Sequence, residues 1–288
     1  MKQVMVIGAG FMGAGIAQAC IQSGYRVLLC DVDQAMLERA EKGLLWSLEK
    51  LAARSKITES VDQVMTRLQT AVGLPATQEI DLVVEAVFED VDLKKQLLEA
   101  LEPQVRADTI IGTNTSSIPV TQLASFLKKP GRFIGLHFFG PVPFMGLVEV
   151  VRGEQASDSV YAQGMAFIKS LGKHPVGVQK DIPGFVMNRV FSAAFRECQE
   201  LVEKGVATPE DIDAGMRLGY GWNKGPFEIV DNAGLDTVLR IQKSMKAMGE
   251  SFLYSDSSIL ENRVKQGKLG RKTNEGFYRY DPETLKTL

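Results

Sequence analysis

No apolar run in this 288-residue chain is long enough to span a bilayer, so no membrane association is expected. Charge of one sign is missing too: 33 Lys and Arg stand against 35 Asp and Glu, a formal net charge of −2. That balance argues against a polyanion-binding surface, and nucleic acid is not expected as a partner. Any anionic ligand must therefore be met by local basic residues. Cysteine is scarce, with only Cys20, Cys30 and Cys198, and their spacing is neither paired nor metal-like. Cys20 and Cys30 lie in apolar segments, where a thiol behaves as a small hydrophobe. No metal site is expected, and a reduced compartment, the cytoplasm, is the default. Met1-Lys2-Gln3 runs straight into an apolar strand, which is not the pattern of a signal peptide. Histidine, like tryptophan, occurs only twice, so a catalytic imidazole has only two candidates, His137 and His174.

What remains is an ordinary globular balance, 45% hydrophobic and 24% charged, enough for a proper core in one or two domains. Short apolar runs alternate with helical patterns over the first two-thirds. Strands are predicted at Val4–Ile7, Val27–Cys30, Leu82–Glu85, Thr109–Gly112, Phe133–Leu136 and Leu147–Val151, with a further one at Val176–Val178. Their continuous apolar character suits strands buried on both faces of a mostly parallel sheet. The fold class is α/β, a Rossmann-type doubly wound sheet.

A helical stretch from Gln34 to Leu68 is longer than a crossover needs. Its pattern breaks near Arg54–Thr58, which predicts a projecting helical hairpin carrying Lys50, Arg54 and Lys56. After Asp181-Ile182-Pro183-Gly184 strand signals fade, and helices are predicted at Phe185–Lys204, Pro209–Leu218, Pro226–Gly249 and Ser255–Gln266. Thr208-Pro209 supplies a cap and a helix-starting proline. The expected division is residues 1–182 as a dinucleotide-binding domain and residues 183–288 as an all-α C-terminal domain.

Gly8-Ala9-Gly10-Phe11-Met12-Gly13 follows an apolar strand and opens a helix. Glycines at these positions permit a tight turn, close approach to a pyrophosphate and close helix–strand packing, and the helix N-terminus offers free N–H groups to phosphates. Asp31 ends the second strand eighteen residues beyond Gly13, placed to accept hydrogen bonds from ribose hydroxyls. A 2′-phosphate about 4 Å from that carboxylate would face a repulsion of roughly 4 kcal/mol at an effective dielectric near 20. NAD is therefore expected over NADP.

His174, in Lys173-His174-Pro175, is expected to be ordinary surface or packing. His137 ends an apolar strand at the carboxyl edge where open α/β sheets bind ligands. A Pro/Gly loop, Gly140–Gly146, joins it to Leu147–Val151. A hairpin-like return centred on Pro143 places Glu149 opposite His137. A buried carboxylate there would fix the imidazole tautomer and stabilise the imidazolium as it forms, as proton removal from a hydroxyl requires.

These residues resemble the 3-hydroxyacyl-CoA dehydrogenase family, including its short-chain 3-hydroxybutyryl-CoA members, over nearly the whole chain. The markers are Gly8–Ala17, Glu85-Ala86-Val87-Phe88-Glu89-Asp90 with Lys94, Thr113-Asn114-Thr115-Ser116-Ser117, His137-Phe138-Phe139, Pro141-Val142-Pro143, Leu147–Val150 and Pro183–Arg189. The resemblance implies NAD-dependent oxidation of (S)-3-hydroxyacyl-CoA and the reverse reduction. It makes His137 the base and Glu149 its orienting partner, with Ser116 and Asn188 hydrogen-bonding the reacting oxygen. Cofactor contacts would come from Gly8, Gly10, Phe11, Met12, Gly13, Asp31, Glu89, Lys94, Asn114, Ser116, Gly140 and Lys272. Lys50 and Arg54 would approach the CoA. The C-terminal domain resembles the family's dimerisation region, so a homodimer is expected.

One departure stands out. The family usually has Asn after His-Phe-Phe, near the nicotinamide end of the cofactor, where this chain has Gly140; restoring Asn there is expected to tighten NADH binding or raise turnover. Two other readings of the residues remain open: a dehydrogenase of sugar acids or other hydroxy acids on the same fold, and a noncatalytic NAD(H)-binding sensor.

Overall fold

Strands with unbroken apolar character lie at the centre of the sheet. The computed structural model describes residues 1–251 and 254–284; residues 252–253 and 285–288 of the expected C-terminal domain lie outside the described residues. It divides into two units, Met1–Phe185 and Val186–Leu288.

The first unit carries β1 (Gln3–Ile7), α1 (Phe11–Gln22), β2 (Arg26–Asp31), α2 (Gln34–Ala52), α3 (Val61–Met65), β3 (Leu68–Val72), β4 (Leu82–Glu85), α4 (Val91–Leu101), β5 (Ile110–Thr113), α5 (Val120–Ala124), β6 (Phe133–Phe138), β7 (Leu147–Val151), α6 (Asp158–Ser170) and β8 (His174–Val178). One sheet runs β3-β2-β1-β4-β5-β6-β7-β8. All neighbours pair in parallel except β6 with β7. The order reverses between β1 and β4, the crevice where doubly wound sheets take ligands. Residues alternate along β1: Val4 and Val6 face a core built with α1, α2 and α6, while Met5 and Ile7 face one built with α4 and α5.

The hairpin expectation needs correction. α2 is a long helix, capped by Asp33, but its predicted partner is only the five-residue α3, capped by Ser60. Lys56 lies in the connection. The chain then enters β3, an edge strand that no expectation included. Its Leu-Gln-Thr-Ala-Val sequence is only half-buried and so carries little apolar signal.

The second unit contains α7 (Met187–Glu203), α8 (Pro209–Tyr220), α9 (Pro226–Ala233), α10 (Leu235–Ala247) and α11 (Ile259–Lys265). Thr208 caps α8 through Asp211 N, and Gly221 closes it in the left-handed conformation at φ 72°. The single helix predicted over Pro226–Gly249 is two, because Gly234 takes φ 90° between them. Phe195, Phe227 and Phe277 pack edge-on at the centre of its core. Buried Asp231 accepts from Phe277 N, Tyr278 N and Tyr280 Oη, which pins the segment after α11 to α9. Isolated bridges at Gly270–Glu275 and Glu275–Arg279 are its β contacts. Among the described residues no helix is long and apolar enough to cross a membrane.

Candidate active site

Four strand ends meet at one sheet edge: the glycine loop after β1, Glu85 at the end of β4, Thr113 at the end of β5, and His137 near the end of β6. Gly8 sits in the crevice itself, at φ 102°, and a Cβ there would stand 2.6 Å from Ala86 O. A Cβ on Gly13 would overlap Gly8 O at 1.8 Å, so the turn and the start of α1 close on each other as the motif requires. Gly10, the N-cap of α1, carries no side-chain cap, and nothing stands within 4 Å of where its Cβ would be. Uncapped N–H groups and open space before Gly10 fit a pyrophosphate. Asp31 Oδ2 accepts from Ala9 N at 2.7 Å and Oδ1 from Asp33 N at 3.1 Å. Each oxygen keeps a lone pair for a ribose hydroxyl. The residues present fit a dinucleotide.

The β6–β7 register pairs His137 with Glu149, as expected from a return centred on Pro143. His137 Nδ1 lies 2.8 Å from Glu149 Oε2; the histidine is 6% exposed and the glutamate fully buried. With a carboxylate as acceptor, Nδ1 carries the proton and Nε2 presents its lone pair. Phe139 and Phe185 flank the imidazole at ring-centroid distances of 4.6 and 5.6 Å. His174, at the start of β8, is exposed.

A second set of contacts shapes the serine-rich loop after β5. Glu85, fully buried, accepts from Lys94 Nζ at 2.6 Å, Thr113 Oγ1 at 2.6 Å and Val87 N at 2.8 Å. Lys94 also pairs with Glu89 at 3.3 Å. Glu89 Oε1 in turn accepts from Thr115 Oγ1, Ser116 N, Ser117 N and Ser117 Oγ. Burial pushes the Glu89 carboxyl up, but Lys94 and these donors outweigh it and hold it below the usual carboxylate range. Asn114 Oδ1 accepts from Phe138 N at 2.9 Å, which ties the loop to the end of β6 beside His137. Through Thr113-Asn114-Thr115-Ser116-Ser117 every other side chain is engaged internally. The Ser116 hydroxyl alone forms no hydrogen bond among the described residues, while its backbone is held by Glu89.

The sequence-expected residues are distributed as follows. Gly8–Gly13, Asp31, Glu89, Asn114, Ser116, His137, Gly140 and Glu149 stand along the same edge of the first unit. Lys94 is 1% exposed with its ammonium between two carboxylates. Its ammonium faces Glu85 and Glu89, which differs from the direct cofactor contact that the resemblance implies. Lys50 lies in the last turn of α2 and Arg54 just beyond it, both exposed. Asn188 lies in the first turn of α7 in the second unit, and Lys272 pairs there with Asp236. Sequence reasoning assigned no role to Glu85, Thr113, Thr115 or Ser117. The one available signal was a glutamate closing the otherwise apolar strand Leu82–Glu85.

Gly140 changes the expectation attached to it. A Cβ there would stand 2.7 Å from Phe11 Cε1 and 3.3 Å from Met12 Sδ, so asparagine must displace the Phe11 ring. Gly140→Asn alone should leave NADH affinity no better than wild type by calorimetric titration. Tighter binding by the single variant would mean that Phe11 yields without cost.

The family profile described as 3-hydroxyacyl-CoA dehydrogenase, NAD binding domain, matches residues 3–182, and that described as 3-hydroxyacyl-CoA dehydrogenase, C-terminal domain, matches residues 184–280. The chain is 41% identical to the mitochondrial hydroxyacyl-coenzyme A dehydrogenase of Rattus norvegicus, over 97% of this chain and 91% of the relative. It is 42% identical to a probable 3-hydroxybutyryl-CoA dehydrogenase of Deinococcus radiodurans, over 96% and 99%. The crystal structure of (S)-3-hydroxybutyryl-CoA dehydrogenase from Ralstonia eutropha superposes with a TM-score of 0.91 at 37% identity, covering 98% of this chain and 99% of that one. On the glycine loop, the histidine–glutamate pair, the strand order and these full-length similarities together, the chain belongs to the 3-hydroxyacyl-CoA dehydrogenase family.

Proposed function

We propose that this protein oxidises the 3-hydroxyl of a short-chain (S)-3-hydroxyacyl-CoA to the 3-oxoacyl-CoA with NAD, and catalyses the reverse reduction. The observation that carries the reading is the buried His137–Glu149 pair beside a loop that leaves one hydroxyl, that of Ser116, unengaged. Bound NAD supplies the hydride acceptor; the chain supplies binding, orientation and proton transfer. The Gly8–Gly13 loop and the start of α1 hold the pyrophosphate, and Asp31 holds the ribose hydroxyls. Nε2 of His137 takes the substrate hydroxyl proton. Glu149 keeps Nδ1 protonated and stabilises the imidazolium that results. In the reduction direction the same imidazolium returns the proton, while Ser116 donates to the oxygen on which charge accumulates. Glu89 and Lys94 hold the serine loop for that contact.

The test of substrate class is a comparison of acetoacetyl-CoA with free acetoacetate. The CoA thioester should be the far better substrate if exposed Lys50 and Arg54 grip its phosphates; equal rates would favour a dehydrogenase of free hydroxy acids. For the cofactor, Asp31→Ala should reduce the preference for NADH over NADPH by at least tenfold in kcat/KM. An unchanged ratio would remove Asp31 from cofactor selection.

The second unit exposes Val190 at 58%, Leu218 at 89% and Tyr220 at 79%, apolar surface that supports a homodimer formed through this unit. Light scattering should give a dimer mass, and a monomer at every concentration would contradict it. Three free, buried cysteines support a reducing compartment, for which the cytoplasm is our reading.

A further inference from the structure

His137 and Glu149 meet across β6 and β7, yet the chain between the two strands, residues 139–146, forms no strand or helix of its own. Surface connections of this kind are ordinarily mobile, and slack here would loosen the strands that carry the base and its partner. Three contacts hold the connection. Phe144 N and Met145 N both donate to Pro141 O, at 3.0 and 3.2 Å, which winds residues 141–145 into a single turn. Val142, 2% exposed, seats that turn on α1, where a Cβ on Gly15 would stand 2.9 Å from Val142 Cβ. The third contact is Lys173, in the link between α6 and β8. Its Nζ donates to Val142 O and to Met145 O, each at 2.7 Å.

A lysine is a costly choice for packing alone. Lys173 is half-buried, and burial pushes its ammonium below the usual lysine range. The titratable group that acts on it is Cys20 of α1, fully buried with its thiol pushed up to about 12. That thiol is uncharged at neutral pH and supplies no counter-charge. An apolar side chain would fill the space without the cost of desolvating a cation. What the cation adds is a bridge. Charge-assisted bonds to two carbonyls three residues apart lock the turn as one body, and a lysine suits the carbonyl end of a helical turn. The next residue continues the grip: His174 N donates to Gly146 O at 2.7 Å, and from there β8 runs beside β7, with Val176 opposite Glu149.

Building on the reading of His137 as the base, we propose that Lys173 is a positioning residue of the reaction. By clamping the turn at residues 141–145 it fixes the β6–β7 hairpin against α1, and so fixes where His137 Nε2 stands relative to the glycine loop. It works through backbone carbonyls and needs no contact with substrate or cofactor. Proton transfer timed with hydride transfer depends steeply on that separation: a misplacement of about 1 Å can cost roughly a hundredfold in rate.

The experiment replaces Lys173 with methionine in the full-length protein, which keeps the reach of the side chain and removes the bridge. In acetoacetyl-CoA reduction kcat should fall about ten- to a hundredfold, while KM for the thioester and Kd for NADH move by less than about threefold. Lys173→Arg, whose guanidinium can also serve two carbonyls, should recover most of that loss. Lys173→Gln, a neutral donor, should recover little and carries the same comparison if the methionine variant folds poorly. A readout independent of turnover comes from imidazole NMR, because the chain has only two histidines and His174 is exposed. The Nδ1 proton of His137, held by Glu149, should give a sharp downfield resonance in wild type and in Lys173→Arg. In Lys173→Met, well below its Tm, that resonance should broaden. An unchanged kcat in Lys173→Met would overturn the proposal, and so would a loss of kcat beside a His137 resonance as sharp as that of wild type. A loss that Lys173→Arg does not reduce would overturn it as well. If wild type turns over no acyl-CoA, the functional reading fails instead, and the resonance alone decides whether Lys173 positions His137.

Discussion

Replacing His137 with glutamine should slow acetoacetyl-CoA reduction by about a thousandfold while NADH still binds, within the range for loss of a positioned acid–base group. Glutamine preserves size and polarity at a 6% exposed site, so folding is not the variable. Glu149 is a positioning residue, and its own replacement distinguishes orientation from mere packing. Glu149→Gln can present an N–H to Nδ1 and so favour the opposite tautomer, which leaves Nε2 protonated; the expected loss in kcat is about 10³- to 10⁴-fold. The pH profile should change with it, because a carboxamide no longer stabilises the imidazolium. The two residues act as a unit across one strand pair, so the double variant should be little slower than either single one. Independent, multiplying losses would mean that Glu149 does not work through His137.

Replacing Lys94 with methionine should destabilise the first unit by about 3–5 kcal/mol, the cost of removing one partner from a buried ion pair. The ammonium is 1% exposed and lies 2.6 Å from the fully buried Glu85, so the variant leaves that carboxylate without its counter-charge. A fall in Tm of roughly 10 °C follows for a unit of this size. Function should suffer in addition to stability. Lys94 also holds Glu89, and Glu89 organises the backbone of Ser116 and Ser117. Below the Tm, the variant should therefore show a lower kcat than wild type. The same contacts make the loop acid-sensitive. Glu89 is held below the ordinary carboxylate range, so its contribution is present above that range and is lost as pH falls through the lowered value. Without Lys94 the acid limb should move to higher pH. A variant as stable and as active as wild type would show that the network does not support the loop.

Much of this was legible in the sequence, for reasons that can be traced to particular elements. Val4–Ile7, Leu82–Glu85 and Phe133–Phe138 are buried on both faces, so their apolar runs are continuous and identify central parallel strands. Gly8, Gly13 and Asp31 have the spacing that backbone geometry demands, and the Pro/Gly loop fixes the register that sets Glu149 against His137. What stayed hidden depends on position in space. β3 lies at the sheet edge, where Leu68–Val72 needs no strong hydrophobic pattern. The break at Gly234 depends on a left-handed φ that a glycine permits but does not announce. Glu85, Lys94 and Thr113 are scattered over the chain and become one cluster only when β4, α4 and β5 are brought together. The effect of Gly140 required knowing that the Phe11 ring lies across from it.

The most direct test of the whole account is the loss of NADH absorbance on mixing the wild-type protein with acetoacetyl-CoA, run beside His137→Gln. Rapid, saturable loss in wild type that nearly disappears in the variant is the predicted result, and it joins cofactor, substrate class and base in one trace. NADH that binds to wild type yet stays unoxidised with acetoacetyl-CoA and its short-chain homologues would contradict the account.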